Sequence, residues 1–178
     1  MFRIMKKSQK GVTLIEFILV IVILSIIAII VMPNILGTLQ NLRLQAAAER
    51  LMSDIRYVRE LALSHHDVYG IEFNQAGNSY QIFSWDGLNK TILTDPHKGT
   101  TFLVDYDDLE EYNGVTINSV SSCVGIGCLT DEIRIDAFGT PYDATNSAYT
   151  SQATIVLKNG SFTRTVQVTH ETSYTELI

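Results

Sequence analysis

Four groups of residues in this chain carry side chains that could do chemistry. The first is a single carboxylate, Glu16, set in a run from Val12 to Met32 that holds no other charge. A carboxylate inside an apolar span costs on the order of 2.5–3.5 kcal/mol, so such a group has a task by default. No Lys or Arg stands three or four residues from it along a helix, so a counter-charge has to come from elsewhere. The second group is Cys123 and Cys128, within Ser-Cys-Val-Gly-Ile-Gly-Cys. With no His or further Cys nearby they do not fill a tetrahedral zinc site, and their spacing is not that of the two-residue redox pair. In an oxidising compartment they read as a small loop disulfide, with buried free thiols as the other reading. The third is His65-His66. Neighbours on a helix point about 100° apart and cannot chelate one metal as an i, i+4 pair does. The fourth is the acidic run Asp105-Tyr106-Asp107-Asp108-Leu109-Glu110-Glu111, which lacks the glycine-punctuated spacing of a calcium loop and reads as solvated. No nucleophile, His–carboxylate pattern or phosphate loop accompanies any of these. The sequence therefore offers no catalytic residue, no metal site and no cofactor.

The elements that must position these groups are unevenly distributed. The Val12–Met32 run is long enough to span a bilayer, which takes roughly 20 apolar residues. Before it, Arg3, Lys6, Lys7 and Lys10 are cationic and no residue is acidic. Of 13 Lys and Arg in the chain, nine remain after residue 11 to face 19 Asp and Glu. A body this acidic has no electrostatic reason to seek nucleic acid or an anionic surface. A cleaved secretory signal needs a shorter apolar core that ends at a small-residue site, and this run has none. A plain signal anchor fits the basic flank, which keeps the amino terminus in the cytoplasm, but leaves Glu16 unexplained.

Lys6-Lys7-Ser8-Gln9-Lys10-Gly11-Val12-Thr13-Leu14-Ile15-Glu16 resembles the processing site of type IV prepilins and type II secretion pseudopilins. The resemblance implies that a membrane-embedded prepilin peptidase cuts after Gly11 and N-methylates Val12. It makes Glu16 the acidic fifth mature residue, paired with the amine of Val12 in its own or an adjacent subunit during assembly. Val12 stands where the family most often has Phe. Pro33 falls where many pilins carry a helix-weakening proline. It removes a backbone donor and clashes with the preceding turn, and Gly37 adds a second weak point.

Beyond Pro33 the pattern becomes amphipathic. Ile35, Leu39, Leu42, Ala46, Ala48, Leu51, Ile55, Val58 and Ala62 recur every few residues, a stripe that reads as packing on the protein's own sheet. The helix is expected to end near Ser64–Asp67. Strands follow: Val68–Asn74 and Ser79–Trp85 around a Gln75–Asn78 turn, then shorter candidates at 91–93, 101–104 and 115–120. Glu132–Phe138 alternates, with Ile133, Ile135 and Ala137 on one face. Ala153–Lys158 and Ser161–Thr169 flank Asn159-Gly160, a strong hairpin signal. The fold class is α+β, a long amino-terminal helix whose carboxyl-terminal half packs on an antiparallel sheet. Ala48–Ser64, with Leu51, Asp54, Arg56 and Arg59, and Ile133-Arg134-Ile135-Asp136-Ala137-Phe138-Gly139 before a final hairpin, resemble the GspH/FimT-type minor pilins and pseudopilins. Some of those relatives bind DNA through a basic carboxyl-terminal segment. After Arg164 this chain has only His170, Glu171 and Glu176.

The sequence thus divides into a cleaved leader at 1–11, a transmembrane helix half at 12–33, an amphipathic helix half at 34–66 and a β-rich head at 67–178. The expected function is a minor pilin or pseudopilin, a structural subunit and not an enzyme, of a type IV pilus or a type II secretion pseudopilus. A major pilin or a filament-associated DNA-uptake receptor is the alternative. The expected partners are the prepilin peptidase, other pilin or pseudopilin subunits, an inner-membrane assembly platform and the membrane itself, but not nucleic acid. The expected place is the bacterial inner membrane, with the head in the periplasm, and then a filament.

Overall fold

The computed structural model describes residues 13–96, 98–121, 131–142, 152–169 and 173–178, with the backbone alone at 32–35. The chain divides into two compact units, Met1–Thr38 and Leu39–Ile178. Helix α1, Leu14–His65, begins in the first and ends in the second. Its amino-terminal stretch is apolar and exposed and is long enough to cross a membrane by length and composition. Ser25 is the hydroxyl in that stretch, and it donates back to the carbonyl of Ile21 at 2.8 Å, so the polar group is satisfied inside its own helix.

The second unit is a helix packed with two antiparallel sheets. β1 (Val68–Asn74), β2 (Ser79–Trp85), β3 (Lys90–Ile92), β4 (Leu103–Asp105), β6 (Glu132–Ile135) and β7 (Pro141–Tyr142) form the first. Its order is β3-β2-β1-β6-β7, with β4 also on β2. β5 (Val115–Ser121), β8 (Ala153–Asn159), β9 (Phe162–Val168) and β10 (Thr175–Leu177) form the second, ordered β10-β9-β8-β5. One sheet was expected and two are found. The expected β1 and β2 match in extent, and most others shift by a residue or two at their ends. The expected Glu132–Phe138 strand stops at Ile135 because Asp136–Gly139 turns back on itself, so Ala137 and Phe138 are not in it. β7 was not expected. β10 carries no alternating pattern and was not anticipated.

The buried stripe of the helix is Leu44, Ala47, Ala48, Leu51, Ile55, Val58 and Ala62. These sit at the three- and four-residue steps that put side chains on one face. The expected stripe was right from Ala48 onward and wrong at Leu39, Leu42 and Ala46, while the Ile35 side chain lies outside the described residues. Leu39, Leu42 and Ala46 are exposed. Leu42 precedes Leu44 by two residues, about 200° around the helix, so the two cannot share a face. Against the stripe pack Ile71, Phe73, Tyr80, Ile82, Ile133 and Ile135 of the first sheet and Val115, Ile155, Leu157, Val166 and Val168 of the second.

Two tight features fix the sheets. The β8–β9 connection pairs Asn159 with Phe162, so its two loop residues are Gly160 and Ser161, not Asn159 and Gly160. Gly160 has φ +60°, the backbone that the first position of a type II′ turn requires. In β1, a Cβ on Gly70 would collide with the ring of Phe83 and the carbonyl of Ile133, and that absence lets Phe83 lie flat across the strand. Asn78, at the β1–β2 turn, joins the two sheets. It is 6% exposed. Its Nδ2 donates to the Val115 carbonyl at 2.7 Å and to Asp107 Oδ1 at 2.8 Å, and its Oδ1 accepts from the Ile117 N–H at 2.8 Å.

Asn78→Ala therefore orphans a buried donor and a buried acceptor of β5. At about 1–3 kcal/mol for each buried group left unsatisfied, the variant should lose at least about 2 kcal/mol in a denaturant titration. An unchanged midpoint would show that β5 needs no tether from the first sheet.

Candidate functional site

The apolar amino-terminal segment begins at a helix cap. Thr13 precedes α1, its carbonyl accepts from the Phe17 N–H at 3.2 Å and its Oγ1 accepts from the Glu16 N–H at 3.4 Å. Thr13-Leu14-Ile15-Glu16 has the Thr-x-x-Glu spacing of a capping box, with Glu16 in the first turn. Glu16 is exposed and, among the described residues, pairs with no cation. Gly11 and Val12 lie outside the described residues, as do Cys123 and Cys128. α1 runs through positions 33 and 37.

The other sequence candidates have local roles. His65 is the last helical residue and its Nδ1 meets the Tyr69 hydroxyl at 2.7 Å, while His66 leaves the helix at φ +54°. In the acidic run, Asp105 Oδ1 accepts from the Asp107 N–H at 2.9 Å and Asp107 is taken up by Asn78. Asp108, Glu110 and Glu111 are exposed.

Sequence reasoning missed two buried polar clusters. Asp54 is a charged residue between the apolar positions of the helix pattern, where solvent exposure is the ordinary expectation, yet it is 5% exposed. Its Oδ2 accepts from the Tyr80 hydroxyl at 2.7 Å and from Arg50 Nε at 3.0 Å. Tyr80, Tyr106 and Tyr112 follow edge to face, and the Tyr106 hydroxyl donates to the Ala47 carbonyl at 3.3 Å. Burial pushes the Asp54 carboxyl up, against the downward pull of Tyr80 and Arg50. Burial alone would lower Arg50, and its hydrogen bond with Asp54 raises it instead. Desolvation outweighs pairing at Asp54, whose side chain is far more buried than that of Arg50. The second cluster lies on the face of the first sheet opposite Ile71 and Ile133. Glu132 is bonded by Lys90 and Arg134, Lys90 also reaches Glu72 at 2.8 Å, and Arg134 lies 4.0 Å over the Trp85 ring. The expected alternation of β6 placed Ile133 and Ile135 correctly, but Glu132 and Arg134 are buried too. A strand of charge, apolar, charge, apolar looks half-exposed from sequence, and only the cross-strand neighbours show otherwise.

The residues behind the second resemblance also tie the helix to the strands. Arg56 donates to Thr175 of β10 through Nε at 2.9 Å and Nη2 at 3.3 Å. Arg164 of β9 reaches Asn41 at 2.9 Å.

The prokaryotic N-terminal methylation motif matches residues 6–32. Two solved structures of the minor pseudopilin EpsH from the type 2 secretion system of Vibrio cholerae resemble this fold. One is 9% identical over 76% of this chain and 96% of its own, with a TM-score of 0.54. The other is 8% identical over 76% and 93%, with a TM-score of 0.55. The type IV minor pilin FimU of Pseudomonas aeruginosa is 16% identical over 76% and 87%, with a TM-score of 0.46. A comparison with curated protein sequences found no match. The class is that of an α+β protein whose long amino-terminal helix starts apolar enough to cross a membrane by length and composition. The chain carries the N-terminal methylation motif over residues 6–32 and has the fold of the minor pseudopilin EpsH.

The tyrosine cluster makes the head sensitive to alkali. Burial raises Tyr80 and Tyr106 well above the ordinary 10.0 and Tyr112 to about 12. The folded state holds these protons more tightly than the unfolded chain, so the stability they lend is complete below pH 10 and is lost as pH rises beyond it. Thermal midpoints should fall steeply above about pH 10. Tyr80→Phe should flatten that fall while costing about 1–3 kcal/mol at neutral pH, because Asp54 loses a donor. An alkaline profile equal to that of the wild type would remove Tyr80 from this role.

Proposed function

We propose that the protein is a minor pilin or pseudopilin, processed after Gly11 and assembled into a filament through its amino-terminal helix. One coincidence carries the reading: a methylation motif at 6–32 heads a chain whose fold is that of a minor pseudopilin. A subunit of this kind assembles with other pilin-type subunits. The finer steps are proposals. A prepilin peptidase removes residues 1–11 and methylates Val12, an inner-membrane platform drives assembly, and the head faces the periplasm. In that oxidising compartment Cys123 and Cys128 close a short loop. Pro33 and Gly37 are the positions where α1 gives way on packing into the filament.

The first test is intact-mass spectrometry of protein from the envelope. The expected mass lacks residues 1–11, carries one methyl group at Val12 and is lighter by the two hydrogens of a disulfide. Retention of Met1–Gly11 in assembled material would end the processing proposal, and a mass with two free thiols would end the bridge.

The second concerns Glu16, which we read as the counter-charge of a neighbour's methylated amine. Glu16→Ala makes the span more apolar, so insertion and leader cleavage should proceed. Losing one partner of a desolvated pair costs about 3–5 kcal/mol, a factor of at least roughly a hundred in the docking equilibrium. The cleaved variant should accumulate in the membrane and be scarce in sheared filaments, with Glu16→Asp milder. Wild-type amounts of Glu16→Ala in filaments would show that the carboxylate does not guide assembly.

A further inference from the structure

Near the end of α1, Arg59 lacks what several other arginines of the head possess. Arg50 and Arg134 are bonded to carboxylates and Arg56 to Thr175. The Arg59 Nε is buried without a hydrogen-bond partner, and no described residue forms an ion pair with its guanidinium. A buried donor left unmade is rare and costly in native proteins. Beside it lies the turn after β6. A Cβ on Gly139 would sit 3.5 Å from Arg59 Nε and 3.5 Å from Leu63.

That turn is held hard. Asp136 Oδ1 accepts from the N–H groups of Phe138 and Thr140 at 2.9 and 2.8 Å, and the Gly139 N–H donates to the Asp136 carbonyl at 2.9 Å. At its tip Phe138 is 87% exposed. A second turn locks onto the first. Ser173, fully buried and at φ +50°, donates its hydroxyl to the Gly139 carbonyl at 2.7 Å. Its neighbour Tyr174 is 61% exposed. An exposed aromatic alone needs no explanation. Two of them, each next in sequence to a member of the Ser173–Gly139 hydrogen bond and so near an unpaired arginine, form a prepared surface. Aromatic residues and arginine carry most binding energy at interfaces, and a fixed backbone spares the ordering cost of association. A strained φ at the joint is also where function tends to be stored.

We propose that Arg59, Phe138 and Tyr174 form the docking surface for the head of a neighbouring filament subunit that presents a carboxylate to the guanidinium. The kind of occupant rests on the filament reading above. The charge of the site selects an acidic partner, and the rings supply the apolar border that keeps the ion pair from water. In this chain the Ile133–Gly139 motif and Arg59 thereby serve a neighbour as well as the fold.

The test uses the full-length protein in its host cell, with a photo-crosslinking amino acid at position 138, 174 or, as a control on another loop, 88, where Leu88 is 85% exposed. Positions 138 and 174 should each give an adduct whose partner, identified by mass spectrometry, carries the N-terminal methylation motif. Arg59→Gln should lower that yield at least tenfold and leave any adduct from position 88 unchanged. Phe138→Ser and Tyr174→Ser alter exposed side chains, so the thermal midpoint should hold while the crosslink or the amount in sheared filaments falls by a similar factor. Three results overturn the proposal: no adduct from 138 and 174 in protein recovered from filaments, a partner without the motif, or a yield indifferent to Arg59→Gln. Absence of the wild-type protein from sheared filaments is a separate failure, since it sinks the filament reading itself.

Discussion

The head depends on one constraint: the helix segment from Leu44 to Ala62 is core to both sheets. The sheet of β1, β2 and β6 has one apolar face and the sheet of β5, β8 and β9 another, and both join one cluster with this stretch of α1. Fully burying an aliphatic side chain stabilises by about 1.5–3 kcal/mol, and the small Ala47, Ala48 and Ala62 let strands approach the helix backbone closely. Exposing this stripe would leave each sheet with a bare apolar face.

The polar contacts follow from that arrangement. A helix held so closely brings any polar residue beside the stripe into the interior, and Asp54 is such a residue. Its two donors come from different elements, Tyr80 of β2 and Arg50 one turn back on the helix. A carboxylate satisfied across an interface in this way fixes register as much as it stabilises, because a slip along the axis carries Arg50 with Asp54 but breaks the bond to Tyr80. Asn78 does the same between the sheets, and Arg56 with Thr175 between helix and β10.

The parts legible in the sequence were those governed by local periodicity and turn chemistry. β1 and β2 were read to the residue, the helix end at His65 to within its expected range, and the second long hairpin as a hairpin. What escaped depended on neighbours far along the chain. Leu39 and Leu42 look like the start of the stripe because they are apolar and nearly in step, but two residues of phase error put Leu42 on the other face. Glu132, Arg134 and Asp54 look solvent-facing because charged residues usually are. β10 is three residues long with no repeat to detect, and it exists because Val166–Val168 of β9 offers it an edge. The leader motif was legible for the opposite reason. It is a linear pattern over residues 6–32 and depends on no fold.

Glu16 gathers these strands of reasoning at the other end of the chain. Its place in the first turn, with its N–H turned to Thr13 Oγ1, sets a negative charge against the positive end of the helix dipole, a favourable term of typically 0.3–1 kcal/mol at exposed sites. The cost of a carboxylate in an apolar span is on the order of 2.5–3.5 kcal/mol, so capping and dipole together leave most of it standing. A residue wanted only as a helix cap could sit outside the lipid, or be a serine, and avoid that cost. The remainder is removed once a cation meets it in the same low-dielectric setting, and in the assembly proposed above that cation is the newly cut amino terminus of a neighbouring subunit. On that proposal the carboxylate is costly in the free subunit and satisfied in the assembled one, the sign required of a group that favours assembly over waiting in the bilayer.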